Sequence, residues 1–130
     1  MDFHLGPRLR VVVADDHPSI RENLRYLLNA ESDLECVGTV SDALRCVDIC
    51  LELAPDVLVL DKNMPGMDGL AITRALQREA PDIRIVMYTF DLDACAAADA
   101  AGAFACVAKD GPYELLLRAI RAARPHPLPV

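Results

Sequence analysis

The chain has 130 residues, 53% of them hydrophobic, and a formal net charge of −7. This length suits one domain around one core, and the apolar content excludes a disordered chain. The acidic balance argues against direct nucleic-acid binding, which needs clustered positive charge, and every apolar run is far too short to span a bilayer.

Residues 1–8 carry Gly6 and Pro7 without periodicity and read as a flexible lead-in. Residues 9–14, Leu-Arg-Val-Val-Val-Ala, form a β-branched strand that ends on Asp15-Asp16. His17-Pro18 begins a helix, with Pro18 suited to its first turn and Ile20, Leu24, Leu27 and Leu28 on one apolar stripe. Residues 34–40 make the next strand, weakened near its end by Gly38. Ser41 is placed to cap a second helix whose apolar face uses Ala43, Val47, Cys50 and Ala54, and Pro55 ends it.

Val57, Leu58, Val59 and Leu60 are a short continuous apolar run, the pattern of a strand buried on both faces. A carboxylate, Asp61, stands at its end, followed by the loop-formers Asn63, Pro65, Gly66 and Gly69. Asp68-Gly69 opens a third helix with Leu70, Ile72, Ala75 and Leu76 inward, and Pro81 closes it. Residues 83–88 predict the fourth strand, ending at Thr89, and residues 92–101 a short alanine-rich helix stopped by Gly102. Residues 104–107 predict a fifth strand ending near Lys109. Pro112 starts the last helix, with Tyr113, Leu116, Leu117 and Ile120 on one face. Residues 124–130 hold three prolines and read as a stiff tail or the start of a linker, leaving residues 9–123 as the domain.

Five cysteines, Cys36, Cys46, Cys50, Cys95 and Cys106, show no Cys-x-x-Cys pair and no metal spacing. They read as buried, reduced thiols acting as small hydrophobes. With no secretory apolar region at the N-terminus, a cytoplasmic location is expected.

Five strand–helix units imply right-handed crossovers and a parallel sheet covered on both faces. The expected fold is therefore α/β, a flavodoxin-like (βα)5 three-layer sandwich with strand order 2-1-3-4-5. In that order the first and third strands are neighbours, so Asp15, Asp16 and Asp61 converge at one crevice, with Thr89 and Lys109 on its other wall. Three carboxylates this close repel each other unless a cation or protons intervene, and Mg²⁺ favours a few carboxylates plus water and phosphate oxygens. Lys109 would pair with Asp61 or with an added anion, and a Thr hydroxyl can donate to a phosphoryl oxygen. The set suits attack by the Asp61 carboxylate on a phosphoryl donor, giving an aspartyl-phosphate.

In this arrangement residues 9–123 resemble the receiver domain of two-component response regulators. The carriers are Asp15-Asp16, Asp61 within Asp-Lys-Asn-Met-Pro-Gly-Met-Asp-Gly, Thr89 and Lys109, five positions in order at the ends of the first, third, fourth and fifth strands. The Ala-Asp-Asp-His-Pro opening and Lys109-Asp110 look most like the NarL/FixJ subgroup, which usually carries a helix-turn-helix output domain. The prolines after Arg124 fall where that subgroup's interdomain linker would start.

The resemblance implies that Asp61 accepts phosphate from a histidine kinase, a phosphotransfer protein or a small acyl phosphate. Asp15, Asp16, Asp61 and the backbone carbonyl of Asn63 would hold Mg²⁺, and Thr89 and Lys109 would bind the phosphoryl group. The surface that changes would be the fourth helix, fifth strand and fifth helix, roughly residues 92–123, open to a partner or to a second copy in a homodimer. Such a domain promotes its own phosphorylation and dephosphorylation and is not a turnover enzyme.

Three positions depart from the family pattern. Cys106 stands where the family usually has Tyr or Phe, a ring that repacks when the threonine moves. Phe104, two positions earlier, should share its face and could partly substitute. Phe90 replaces the usual small residue after the threonine, a bulky ring at the pocket mouth that bears on access. Asp110 stands where many relatives have a cis proline.

The alternative reading is a pseudo-receiver, a phosphorylation-independent interaction or dimerisation module, motivated by Cys106 and Phe90. A flavin carrier would want Ser, Thr or Gly after the first strand, and a haloacid-dehalogenase-like phosphatase an aspartate where Asn63 stands. His17 reads as a surface histidine at a helix start, Met64 and Met67 as packing, and Asp68 as the third helix's cap.

Overall fold

A computed structural model of the chain describes residues 7–124. The expected lead-in and proline-rich tail lie, apart from residues 7, 8 and 124, outside the described residues. Five strands, β1 (Leu9–Ala14), β2 (Leu34–Val40), β3 (Val57–Leu60), β4 (Arg84–Thr89) and β5 (Ala105–Ala108), form one sheet. They alternate with helices α1 (Pro18–Asn29), α2 (Ala43–Leu53), α3 (Gly69–Glu79), α4 (Cys95–Ala101) and α5 (Tyr113–Ala122). Every pairing in the sheet is parallel and the order is 2-1-3-4-5, as the alternating pattern predicts.

Strand alternation divides the core into two layers. Val11, Val13, Val57, Val59, Val86, Tyr88 and Val107 point to one face, where Leu24, Leu28, Leu116, Leu117 and Ile120 of α1 and α5 cover them. Val12, Ala14, Leu58, Leu60, Ile85 and Met87 point to the other, against Cys46, Cys50, Ile72, Leu76 and Ala98 of α2, α3 and α4. Because β3 is covered on both sides, all four of its residues are buried. This explains why its sequence is continuously apolar rather than alternating.

The ends of the elements differ from expectation in informative ways. Asp42, not Ser41, caps α2, its carboxylate accepting the Arg45 N–H at 3.1 Å. Asp68 caps α3 as expected, accepting from the N–H groups of Leu70 and Ala71. Both strands after α3 begin one residue later than their apolar runs suggest, and residues 92–94 form a separate 3₁₀ turn ahead of α4. The chain steps out of register between β1 and β2, where Val11 pairs with Cys36 and Val12 with Gly38, so Val37 is the extra residue of a bulge.

A small hairpin absent from the sequence reading occupies the loop after Asp61. Asn63–Met64 pairs antiparallel with Met67–Asp68, and Gly66 turns between them at φ 102°. Pro65 followed by a glycine with positive φ is the chemistry of a type II turn. The Pro65 carbonyl accepts the Ala43 N–H at 3.1 Å, which seats the hairpin on the start of α2. Gly69 then brings α3 tightly against the end of β3, its N–H donating to the Lys62 carbonyl at 2.7 Å.

At the opposite end of the sheet, Arg121 of α5 donates to both carboxylate oxygens of Asp33 and to Glu31, all at 2.8 Å. Arg10 closes the α2 end, its guanidinium donating to the carbonyls of Leu53 and Ala54, the latter a left-handed cap at φ 47°.

A Cβ added at Gly69 would lie 2.8 Å from the Lys62 Cα and 2.9 Å from the Asp61 carbonyl oxygen, both backbone. At Gly38 the nearest atom is the mobile Leu53 Cδ1, also at 2.8 Å. We expect Gly69→Ala to destabilise the fold by about 1–3 kcal/mol, and Gly38→Ala by distinctly less. Urea unfolding of the two variants beside the parent measures the difference.

Candidate functional site

The sheet order determines which side chains meet. Ala14, Leu60 and Met87 are aligned across β1, β3 and β4, so Asp15 and Asp61 emerge side by side one residue further on. Thr89 pairs with Ala108 across β4 and β5, which leaves Lys109 to follow at the same edge. Its N–H donates to the Thr89 carbonyl at 2.9 Å.

Lys109 reaches into the gap between the carboxylates. Its Nζ lies 2.6 Å from Asp15 Oδ2 and 3.3 Å from Asp61 Oδ1, and its side chain is only 3% exposed. Asp15, Asp61 and Thr89 are buried as well. An ammonium in so dry a place is held by its two partners and would be costly without them.

Asp61 is poised rather than relaxed. Burial pushes its carboxyl above the ordinary carboxylate range, and the Asp15 charge adds to this, while the Asn63 N–H and Lys109 pull it back. The Asn63 N–H donates to Asp61 Oδ1 at 3.2 Å, the same oxygen that faces Lys109.

His17 belongs to this cluster more fully than its sequence position suggests. It precedes α1 in extended conformation, and its N–H and its ring Nδ1 both contact Asp15 Oδ1, at 3.0 and 2.9 Å. The same Nδ1 lies 3.0 Å from Asp16 Oδ1. The hydrogen bond to Asp15 and then the Asp16 charge raise the imidazole pKa. The expectation of a surface histidine at a helix start describes its exposure but misses these contacts. Arg21, which the sequence reading passed over, fixes the same loop by donating to the Asp15 carbonyl at 2.8 Å. The available signal was its spacing of four from His17, one helical turn on.

The donor set fits a hard divalent cation. Asp15, Asp16, His17 and Asp61 each present a ligand atom within 4.8 Å of the others. Asp16 Oδ1 is a buried carboxylate oxygen faced by the His17 ring nitrogen at 3.0 Å, a position that suits a metal contact.

The three departures fall in different places. The Phe90 ring is exposed and lies at the pocket mouth, its centroid 5.5 Å from Lys109 Nζ. Phe104 sits just ahead of β5, where its N–H donates to Ile85 and its ring lies 5.9 Å under the Arg84 guanidinium. Ile85 is four residues before Thr89, on the order of 13 Å along a strand, so Phe104 supplies no aromatic beside Thr89.

Cys106 requires a correction. It is not a free thiol but is bonded to Cys95 at the start of α4, with Cα atoms 5.6 Å apart. Alternation turns Cys106 toward the α3–α4 side of the sheet, directly below Cys95. Cys36, Cys46 and Cys50 are buried free thiols, as expected.

A sequence profile of the response regulator receiver domain matches residues 11–121. The chain is 37% identical over 117 residues to the transcriptional regulatory protein LiaR of Bacillus subtilis, covering 88% of this chain and 56% of that protein. It is 38% identical over 116 residues to the nitrate/nitrite response regulator protein NarP of Escherichia coli, covering 87% and 54%. It thus spans about half the length of these relatives. Among solved structures, the signal receiver domain of the response regulator NarL from Mycobacterium tuberculosis superposes with a TM-score of 0.83 at 28% identity, covering 91% of this chain and 98% of that one.

An acid whose folded pKa is raised loses stability as pH climbs from the ordinary carboxylate range through the raised value, because the unfolded chain ionises first. Asp61→Asn removes that loss. In Mg²⁺-free buffer the variant should melt a few degrees above the parent at neutral pH, and the gap should close as pH falls into the ordinary carboxylate range. Thermal unfolding followed by circular dichroism over that pH series checks both the sign and the window.

Proposed function

The chain belongs to the response regulator receiver domain family, and from that premise we propose that it is a phosphorylation-driven signalling switch with Asp61 as phosphoacceptor. The observation that carries this reading is the buried Lys109 ammonium shared between Asp15 and Asp61. It supplies positive charge where a transferred phosphoryl group would bring negative charge.

The Asp61 carboxylate attacks the phosphorus of a donor in line with the leaving atom, forming an acyl phosphate on its side chain. The bond that breaks is to an imidazole nitrogen of a phosphohistidine or to a carboxylate oxygen of a small acyl phosphate. Lys109 faces Oδ1, as does the Asn63 N–H, which leaves Oδ2 as the attacking oxygen. Lys109 then exchanges its contact with Asp61 for one with the phosphoryl oxygens while keeping Asp15. The Thr89 hydroxyl, which now accepts the Asp91 N–H at 3.0 Å, donates its own proton to the same group.

Asp15, Asp16, Asp61 and the Asn63 carbonyl would hold Mg²⁺. When bound, that ion supplies charge neutralisation among the carboxylates and on the phosphoryl oxygens. His17 adds a proton donor to Asp15 and Asp16, lowering their mutual repulsion.

In this reading the donor is a histidine kinase, a phosphotransfer protein or a small acyl phosphate. Capture of Thr89 and Lys109 shifts the population of packings at the surface formed by α4, β5 and α5, where an output partner or a second copy of the chain docks. Residues 9–123 form the receiver unit, and residues 124–130 are the tail or linker start. The relatives' names connect such domains with transcription regulation; the output of this chain is placed there, in the cytoplasm, by analogy.

Intact-mass measurement after incubation with acetyl phosphate and Mg²⁺ tests the proposal. One phosphoryl mass should appear on the parent, none on Asp61→Asn, and none in the presence of EDTA. Lys109→Ala should lower the yield by at least about ten-fold. No gain on the parent, or a gain that survives Asp61→Asn, would leave the pseudo-receiver reading in its place.

A further inference from the structure

The Cys95–Cys106 bridge ties the start of the shortest α-helix among the described residues to β5. α4 is the seven-residue segment Cys-Ala-Ala-Ala-Asp-Ala-Ala, far shorter than a helix that holds itself together in water. It has no side-chain cap at its N-terminus, and Ala98 is its one buried residue. Its C-terminus is fixed by the left-handed Gly102, whose N–H donates to the Asp99 carbonyl. Its N-terminus is fixed by Cys95, the first helical residue, bonded to β5 through Cys106. Upstream, only residues 90–94 separate Cys95 from Thr89, and the Asp91 N–H is bonded to the Thr89 hydroxyl.

The five cysteines divide by surroundings. Cys36, Cys46 and Cys50 are buried free thiols. The Cys50 contact together with burial raises the Cys46 thiol pKa, and burial raises that of Cys36, so these two resist ionisation, while Cys50 is fully buried. Cys95 and Cys106 are both partly exposed, open to a dissolved thiol.

We propose that Cys95 and Cys106 form a reversible dithiol–disulfide switch that fixes α4 to β5 when oxidised and releases its N-terminal end when reduced. The exchange partner is a small-molecule disulfide of the glutathione class. One protein thiolate attacks the partner disulfide, forming a mixed disulfide and expelling one small thiolate. The second protein thiolate then attacks the protein-bound sulfur, forming the bridge and expelling the other. The two protein thiols give up two protons and two electrons, and the small disulfide becomes two thiols. Reduction runs the same steps backward. Loss of the tie removes a loop constraint with a sequence separation of 11 residues, so the released segment samples more conformations. The consequence for signalling rests on the phosphoryl-switch reading, since it is the α4 surface that would respond at Asp61; the redox step itself does not.

The test uses the full chain, with no phosphoryl donor, in buffers spanning oxidised to reduced glutathione. Alkylation followed by peptide mass mapping reads each cysteine, and hydrogen–deuterium exchange reads residues 90–104. The expected result is a bridge at the oxidising end and two alkylated cysteines, 95 and 106, at the reducing end, with Cys36, Cys46 and Cys50 protected throughout. Exchange in residues 92–101 should quicken by roughly ten-fold on reduction. Cys95→Ser and Cys106→Ser should show the fast exchange in every buffer. Because no readout uses Asp61 chemistry, Asp61→Asn should respond like the parent, which separates failure here from failure of the phosphoryl reading. The proposal is overturned if the two thiols never bridge, if the bridge survives the most reducing buffer, or if it opens with no change in exchange.

Discussion

A single buried ammonium organises this molecule. Lys109 is almost fully removed from water, and its charge is met on one side by Asp15 and on the other by Asp61. Isolated charges in such a setting are expensive, and pairing alone seldom does more than offset the penalty. The fold therefore has to bring the ends of β1, β3 and β5 to one edge, and the order 2-1-3-4-5 does so. Acid outnumbers base in the pocket even so, since Asp16 adds a third carboxylate. The residual negative charge makes this edge electrostatically receptive to a cation.

Much of this was legible in the chain. Apolar runs of period two or none, separated by helical stripes and punctuated by Pro and Gly, lead to the sheet order. The order in turn places the acids and the lysine together, because strand ends are where a parallel sheet exposes side chains. What escaped was local competition and contact at a distance. Ser41 and Asp42 are adjacent candidates for one cap, and the backbone chose Asp42. The hairpin at residues 63–68 is too short to show alternation. His17 looked like surface because it is surface, yet its ring nitrogen sits against two carboxylates. The bond between Cys95 and Cys106 has no sequence signature, since it depends on α4 lying over β5.

The loop after β3 shows how backbone fit supports the chemistry. Asp68 caps α3, Gly69 allows the helix to approach the end of β3, and Pro65-Gly66 fold the intervening residues back onto α2. None of these residues holds the ammonium, but together they leave the Asn63 N–H aimed at Asp61. The orientation of the Asp61 carboxylate is thus set from both sides of the chain, which limits its rotamers.

At the far edge of the sheet, the guanidinium of Arg121 grips Asp33 with two nitrogens and reaches Glu31 with one of them. Such a planar fork resists rotation as well as separation. It fastens the last turn of α5 to the turn leading into β2, while the first turn of α5 follows directly from the lysine loop. A rod pinned at one end answers a push at the other by pivoting. Arg121 is placed as such a pin, at the end of α5 remote from Lys109.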